Sequence, residues 1–224
     1  MAIHYELSVE EVRVLGALLE KAIFTPDQYP LTLNALMNAC NQKSSRDPVL
    51  NLEPGAVQRA ARQLDEKHLI KRDENFRTGV EKYSQRFCNT PFSALQLTSA
   101  EYAIVCVLLL RSKQTPGELR TRTARLHAFG STEEVTQTLQ GLIDREGGAL
   151  VARLPRAAGR QDHEYMHLLS GAVESVSPSQ LDTSAAGDGR GRTDRVAELE
   201  ARLAMLSEEV ARLRSLLDIA PDEV

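Results

Sequence analysis

Apolar residues recur at steps of three and four in three stretches of the N-terminal part of the chain. The first holds Val12, Leu15, Leu18, Leu19 and Ile23, and Ser8 followed by Glu11 has the spacing of a capping box that opens a helix. The second, over residues 32–41, places Leu33, Leu36, Met37 and Cys40 on one side. The third follows Pro54-Gly55 and puts Val57, Ala61, Leu64 and His68 on one stripe, where His68 reads as a packing or C-terminal capping residue. The period then drops to two. Between Val80 and Cys88, Tyr83 and Phe87 take one face while Lys82, Ser84 and Arg86 take the other, and residues 75–79 supply the turn before them. The predicted order is three helices followed by a β-hairpin.

This order occurs twice. Leu7-Ser8-Val9-Glu10-Glu11 is echoed by Leu97-Thr98-Ser99-Ala100-Glu101, and Thr25-Pro26 by Thr115-Pro116, both at an offset of 90. Farther on, Val57 and Leu64 match Val135 and Leu142 at 78, and Tyr83 matches Tyr165 at 82. The fall from 90 to 78 predicts about twelve extra residues in the first copy, expected in the polar stretch 41–51. In the second copy Tyr102, Val105, Leu108 and Leu109 mark the first helix, Pro116 suits the first turn of the second, and Val135, Leu139 and Leu142 mark the third. The fold class expected is mainly α with small β-hairpin wings: tandem winged-helix domains over residues 1–92 and 93–172.

Beyond them, residues 173–193 are rich in Ser, Gly, Asp and Ala and read as a flexible linker. A coiled-coil helix is predicted over 194–219, because Val196, Leu199, Leu203, Leu206, Val210, Leu213 and Leu217 form an unbroken heptad seam. With Val196 at an a position, Arg195 faces Glu200 and Glu209 faces Arg214 of a parallel second copy, so a homodimer is expected.

Composition narrows the function. Three widely spaced cysteines, Cys40, Cys88 and Cys106, form no CxxC pair, which excludes a zinc ribbon or a disulfide framework and fits a reducing compartment. The longest apolar run, Tyr102 to Leu110, is about half of the roughly 20 residues needed to cross a bilayer, and a cytoplasmic protein is expected. The net charge of −4 has the wrong sign for a nucleic-acid binder, but its acidity lies in the tail. Residues 1–90 carry 12 basic and 12 acidic side chains, and residues 171–224 carry 6 and 11.

The strongest candidate chemistry sits on the third helix of the first copy. Opposite its apolar stripe it shows Gln58, Arg59, Arg62 and Gln63, residue types that fork onto adenine or guanine edges in a major groove. A solvated helix face would also hold Arg and Gln. Lys43 and Arg46 before this helix, and Lys71, Arg72, Arg77, Lys82 and Arg86 in the hairpin after it, favour a phosphate-holding surface; Asp65, Glu66, Asp73 and Glu74 dilute it. The second copy offers Glu133 and Glu134 at the same place, so a structural or dimerisation role is expected there, with Arg120, Arg122 and Arg125 touching a nucleic-acid backbone or packing across to the first copy.

His163-Glu164-Tyr165-Met166-His167 matches the HExxH pattern of zinc proteases, whose two histidines must stand about 6 Å apart along a helix. The repeat places this segment on a strand, where they are about 13 Å apart. No metal, no cofactor and no enzymatic activity is therefore expected.

Long strings at residues 13–21, 25–31, 39–49, 82–89, 108–111, 114–120 and 165–168, among them Gln114-Thr115-Pro116-Gly117-Glu118 and Tyr165-Met166-His167-Leu168, closely resemble the YceH-like family of uncharacterised bacterial proteins. The resemblance implies tandem winged helices and supplies no activity or ligand. The expected function is binding of double-stranded DNA, as a transcriptional regulator that reads through helix three and the wing of the first copy. The alternative is a protein-interaction scaffold built from paired winged helices.

Overall fold

A computed structural model describes residues 5–75, 79–91, 93–156 and 162–171. They belong to the first of two compact units, residues 1–175. The linker expected over 173–193 and the seam from Val196 to Leu217 lie outside the described residues, as does Arg77. Among the described residues the architecture is mainly α, with six α-helices and two small antiparallel sheets.

The helices begin where local chemistry satisfies their first N–H groups. Helix α1 (Val9–Phe24) opens on Ser8, whose hydroxyl accepts from the Glu11 N–H while the Glu11 carboxylate accepts from the Ser8 N–H at 2.8 Å. Thr98 with Glu101 opens α4 (Ser99–Arg111) in the same way, and Thr115 with Glu118 opens α5 (Pro116–Thr123). Thr32 caps α2 (Leu33–Cys40), Ser131 caps α6 (Thr132–Ile143), and Pro54 stands in the first turn of α3 (Pro54–Glu66).

The end of α3 separates the two readings of His68, which caps the helix and does not pack on its apolar stripe. The apolar stripe stops at Leu64, and His68 is exposed with φ 58°. Its N–H reaches the Asp65 carbonyl and that of Leu69 reaches the Leu64 carbonyl, both at 2.9 Å. This is a Schellman ending with His68 in the left-handed position, and Leu64 and Leu69 on either side of it are both buried.

In the first sheet, β1 (Leu31–Thr32), β2 (Ile70–Asn75) and β3 (Val80–Gln85) run in the order β1-β3-β2, and buried Tyr83 faces Leu31 on one side and Arg72 on the other. The second sheet pairs β4 (Val151–Arg153) with β5 (Tyr165–His167). Gln114 adds a third pairing there, exchanging N–H···O bonds of 2.9 and 2.8 Å with Tyr165. The Gln114–Tyr165 pairing repeats the Leu31–Tyr83 pairing, so the repetition reaches the strand register.

The extra residues of the first copy are divided between two places instead of lying together in 41–51. The helix caps differ by 90 at Ser8 and Thr98, by 83 at Thr32 and Thr115, and by 78 at Glu53 and Ser131. Seven residues therefore precede α2 and five precede α3. Thr25-Pro26 resembles Thr115-Pro116 but does different work: the Thr25 hydroxyl turns back to the Lys21 carbonyl, and Pro26 begins only a 3-10 turn.

The two copies share one apolar core. Every residue of α4 from Tyr102 to Leu110 is buried, where the sequence predicted a single stripe, because α1 packs on one side of it and α5 and α6 on others. The Tyr102 hydroxyl donates to the Leu19 carbonyl, and Cys106 lies against the Gly16 carbonyl. Gly16 permits this approach: a Cβ there would stand 3.0 Å from Leu109 Cβ and Leu110 Cδ2. Cys40, Cys88 and Cys106 are buried free thiols, and burial pushes the first two up to about 12.

On β5, burial pushes the His167 imidazole down to about 4, and its Nδ1 has no hydrogen-bond partner among the described residues. The unfolded chain takes up this proton near 6.5. His167 therefore leaves stability whole above that value and removes it as pH falls toward 4, on the order of 3 kcal/mol in full. Urea unfolding at pH 7 and pH 4.5 should show the loss in the wild type and a smaller loss in His167→Leu. Equal losses in both would show that His167 does not carry the effect.

Candidate nucleic-acid interface

Helix α3 divides sharply. Val57, Ala60, Ala61 and Leu64 are buried, while Arg59, Arg62 and Gln63 are exposed at i, i+3 and i+4 and so share one face. Gln58 is half-buried and lines an open groove with Thr32, Asn34, Gly79, Val80 and Glu81, between α2, α3 and the hairpin. Lys43 and Lys82 are exposed. Among the described residues, Lys43, Arg59, Arg62 and Lys82 make no ion pair and donate no side-chain hydrogen bond.

Of the four carboxylates expected to dilute this surface, Asp65 and Asp73 are paired locally, as is Glu81 of the hairpin, while Glu66 is exposed and makes no ion pair among the described residues. Arg72 meets Glu81 at 2.8 Å and Asp65 at 3.7 Å, and Lys71 meets Asp73 at 2.6 Å. The Tyr83 hydroxyl donates to Glu81 and, outweighing burial, joins Arg72 and Gln58 in holding that carboxyl below the usual range. Arg86 is half-buried and already has a partner.

Arg46 must leave the set. Its side chain is wholly buried, its Nη1 and Nη2 fork onto the two Glu20 oxygens at 3.0 and 2.7 Å, and Nε and Nη2 donate to the Ala39 carbonyl. Beside it, Arg13 donates to the carbonyls of Cys40 and Pro48. Burial acts against the Glu20 charge, but the hydrogen bonds and charge of Arg46, with Lys21 nearby, hold its carboxyl below the usual carboxylate range. These residues pin the 41–53 loop to α1. The legible signal was an acid and a base, Glu20 and Arg13, among apolar helix positions.

The second copy presents a different surface. Glu133, Glu134, Thr136, Gln137 and Gln140 are exposed on α6. Arg120 donates to the Gly130 carbonyl, Arg122 pairs with Glu118 at 3.3 Å, and Arg125 lies over the Phe24 ring at 4.6 Å. Arg125 therefore packs across to the first copy.

The HExxH segment is extended, as the repeat required. His163 precedes β5, donates from Nδ1 to the Leu154 carbonyl and accepts at Nε2 from Arg156, while Glu164 pairs with Lys113 at 2.9 Å. Among the described residues no group of three His, Cys, Asp or Glu is placed to hold a metal, and no helix is long and apolar enough to cross a membrane.

The family described as "Protein of unknown function, DUF480" matches residues 7–160. A UPF0502 protein of Vibrio atlanticus (strain LGP32) is 47% identical over 95% of this chain and 97% of its own. The chain belongs to this family. Other UPF0502 proteins show the same full-length likeness: one of Photobacterium profundum is 47% identical over 94% of this chain and 96% of its own, and one of Shewanella sp. (strain ANA-3) is 50% identical over 95% and 96%. The DUF480 match spans both copies, from the cap of α1 past the end of β4.

Proposed function

We propose that this chain is a DNA-binding protein of two winged helices, a transcriptional regulator in which α3 of the first copy reads base edges and the β2–β3 hairpin is the wing. The observation that carries this reading is the α3 face, where Arg59, Arg62 and Gln63 are exposed and the two arginines are unpaired among the described residues, beside the groove at Gln58. Basic side chains left free beside the paired Asp65, Asp73 and Glu81 suit a polyanion better than a purely solvated face. The three helices and hairpin of each copy, with β1 pairing β3 in the first and the Gln114–Tyr165 bridge in its place in the second, agree with a winged helix.

In this reading the second copy serves as a support, since its α6 presents acid at the matching place. The 194–219 heptads join two chains, and the protein has no enzymatic activity, metal or cofactor. A scaffold role in protein assembly is the second reading, favoured by the acidic α6 face.

Fluorescence anisotropy of a labelled random duplex against salt tests the proposal. Four free cations, Lys43, Arg59, Arg62 and Lys82, predict log K falling with log salt at a slope of about −4 per protomer. No binding at about 50 mM salt would remove the DNA reading and favour the scaffold.

A further inference from the structure

A second cluster of basic groups lies at the seam between the two copies, away from the α3 face. Glu20 and Phe24 from α1, Ser45 from the first copy's loop, Leu110 and Arg111 at the end of α4, Arg122 of α5, and Arg125 and Leu126 just after it line a cleft of about 40 Å³. A water needs about 10–15 Å³ of such space, so the cleft admits a group of a few heavy atoms and not a helix or a strand.

Its charge is unbalanced. Arg46, Arg111, Arg122, Arg125 and Lys21 stand against three carboxylates, Glu20, Asp47 and Glu118. The carboxylates are mostly committed: both Glu20 oxygens accept from Arg46, and Glu118 pairs with Arg122 while closing the α5 capping box. Arg46, Lys21 and Arg122 meet carboxylates and Arg125 lies over the Phe24 ring, but Arg111 has neither kind of contact. It is half-buried, and among the described residues its guanidinium makes no ion pair and donates no hydrogen bond. Burial, followed by the like charges of Arg122 and Arg46, pushes its proton affinity down, with Asp47 and Glu20 opposing weakly. A half-buried arginine held against other arginines without an anion is a costly arrangement that an anion relieves.

We propose that this cleft binds a phosphate group, as inorganic phosphate or a small phosphate monoester, with Arg111 and Arg122 as its principal ligands. Guanidinium forks suit the oxygens of a phosphate dianion, and Ser45 also lines the cleft. Because Phe24 and Ser45 come from the first copy and Arg111, Arg122 and Arg125 from the second, the bound group would tie the copies together. The inference is independent of the α3 face.

The full chain, titrated with inorganic phosphate in a thermal-shift assay and by calorimetry against chloride at matched ionic strength, tests it. A saturable rise in Tm is expected with phosphate alone. Arg111→Gln should lower phosphate affinity at least about tenfold, as should Arg122→Gln. Without phosphate, Arg111→Gln should melt no lower than the wild type, since it removes a repelled charge; this separates ligand loss from misfolding. The double variant Arg59→Ala, Arg62→Ala should keep the whole phosphate effect. A short DNA duplex tested in the same assay identifies the other source of phosphate: stabilisation by duplex but not by inorganic phosphate, lost in Arg111→Gln, would overturn the small-anion assignment. So would a phosphate response no larger than that to chloride, or one unchanged in both glutamine variants.

Discussion

Glu20→Ala is expected to cost about 3–5 kcal/mol of folding stability, because it leaves Arg46 charged and wholly buried with no carboxylate to answer it. The Arg46 guanidinium keeps its bond to the Ala39 carbonyl, but both contacts to Glu20 vanish. The loop at 41–53 is then held by Arg13 at Pro48, by Arg46 at Ala39, by the Asp47 N–H on the Leu110 carbonyl and by the Asn41–Leu52 pair, with no charge left to answer Arg46 inside it. Removing both charges should be milder. Glu20→Leu with Arg46→Met, which replaces the pair by apolar groups of similar size, is expected to recover most of the loss. The pair also sets an acid limit. A carboxyl held below its unfolded value contributes stability that is present above that value, about 4.3, and disappears as pH falls through the lower folded value. This window lies below that of His167, so the two can be separated in one pH series. Urea unfolding of the single and double variants at pH 7 measures the coupling; a Glu20→Ala loss below about 1 kcal/mol would mean that the loop relaxes and lets water reach Arg46.

The parts of the fold governed by near neighbours were legible in the sequence. Ser8 with Glu11 and Thr98 with Glu101 announce helix starts over three residues, and the α3 stripe from Val57 to Leu64 announces which side is buried. Tyr83 and Tyr165 mark matching strands, and these strands in turn settle the HExxH segment as extended chain. What distant residues decide was not legible. Arg46 lies in a polar stretch and has the residue type that phosphate contacts favour, yet the same planar fork suits Glu20, 26 positions earlier in the chain. The short strand β1 is two residues long and exists only because Tyr83 and Lys82 of β3 lie beside it. For Arg122 and Arg125 the sequence left open a nucleic-acid contact or packing onto the first copy, and only the packing of the two copies brings Arg111 beside them, opposite Phe24 and Glu20.

The second large effect is expected on the α3 face. Arg59 and Arg62 stand on the exposed side of a helix whose buried side is complete without them, so replacing either with Ala should leave unfolding unchanged. If each forks onto a base edge, each replacement costs about 1–3 kcal/mol on a preferred site, roughly 5-fold to 150-fold in affinity, and relaxes discrimination at one position. Lys82, on the hairpin, should behave otherwise. Lys82→Ala should weaken all sequences alike and reduce the salt slope by about one. The measurement that bears most directly on a base-reading α3 is therefore the affinity ratio between a selected site and random duplex, taken at one salt concentration for the wild type, Arg59→Ala, Arg62→Ala and Lys82→Ala. The account predicts a ratio that falls at least about fivefold in each arginine variant and stays at the wild-type value in Lys82→Ala. A ratio unchanged in all three variants would contradict it.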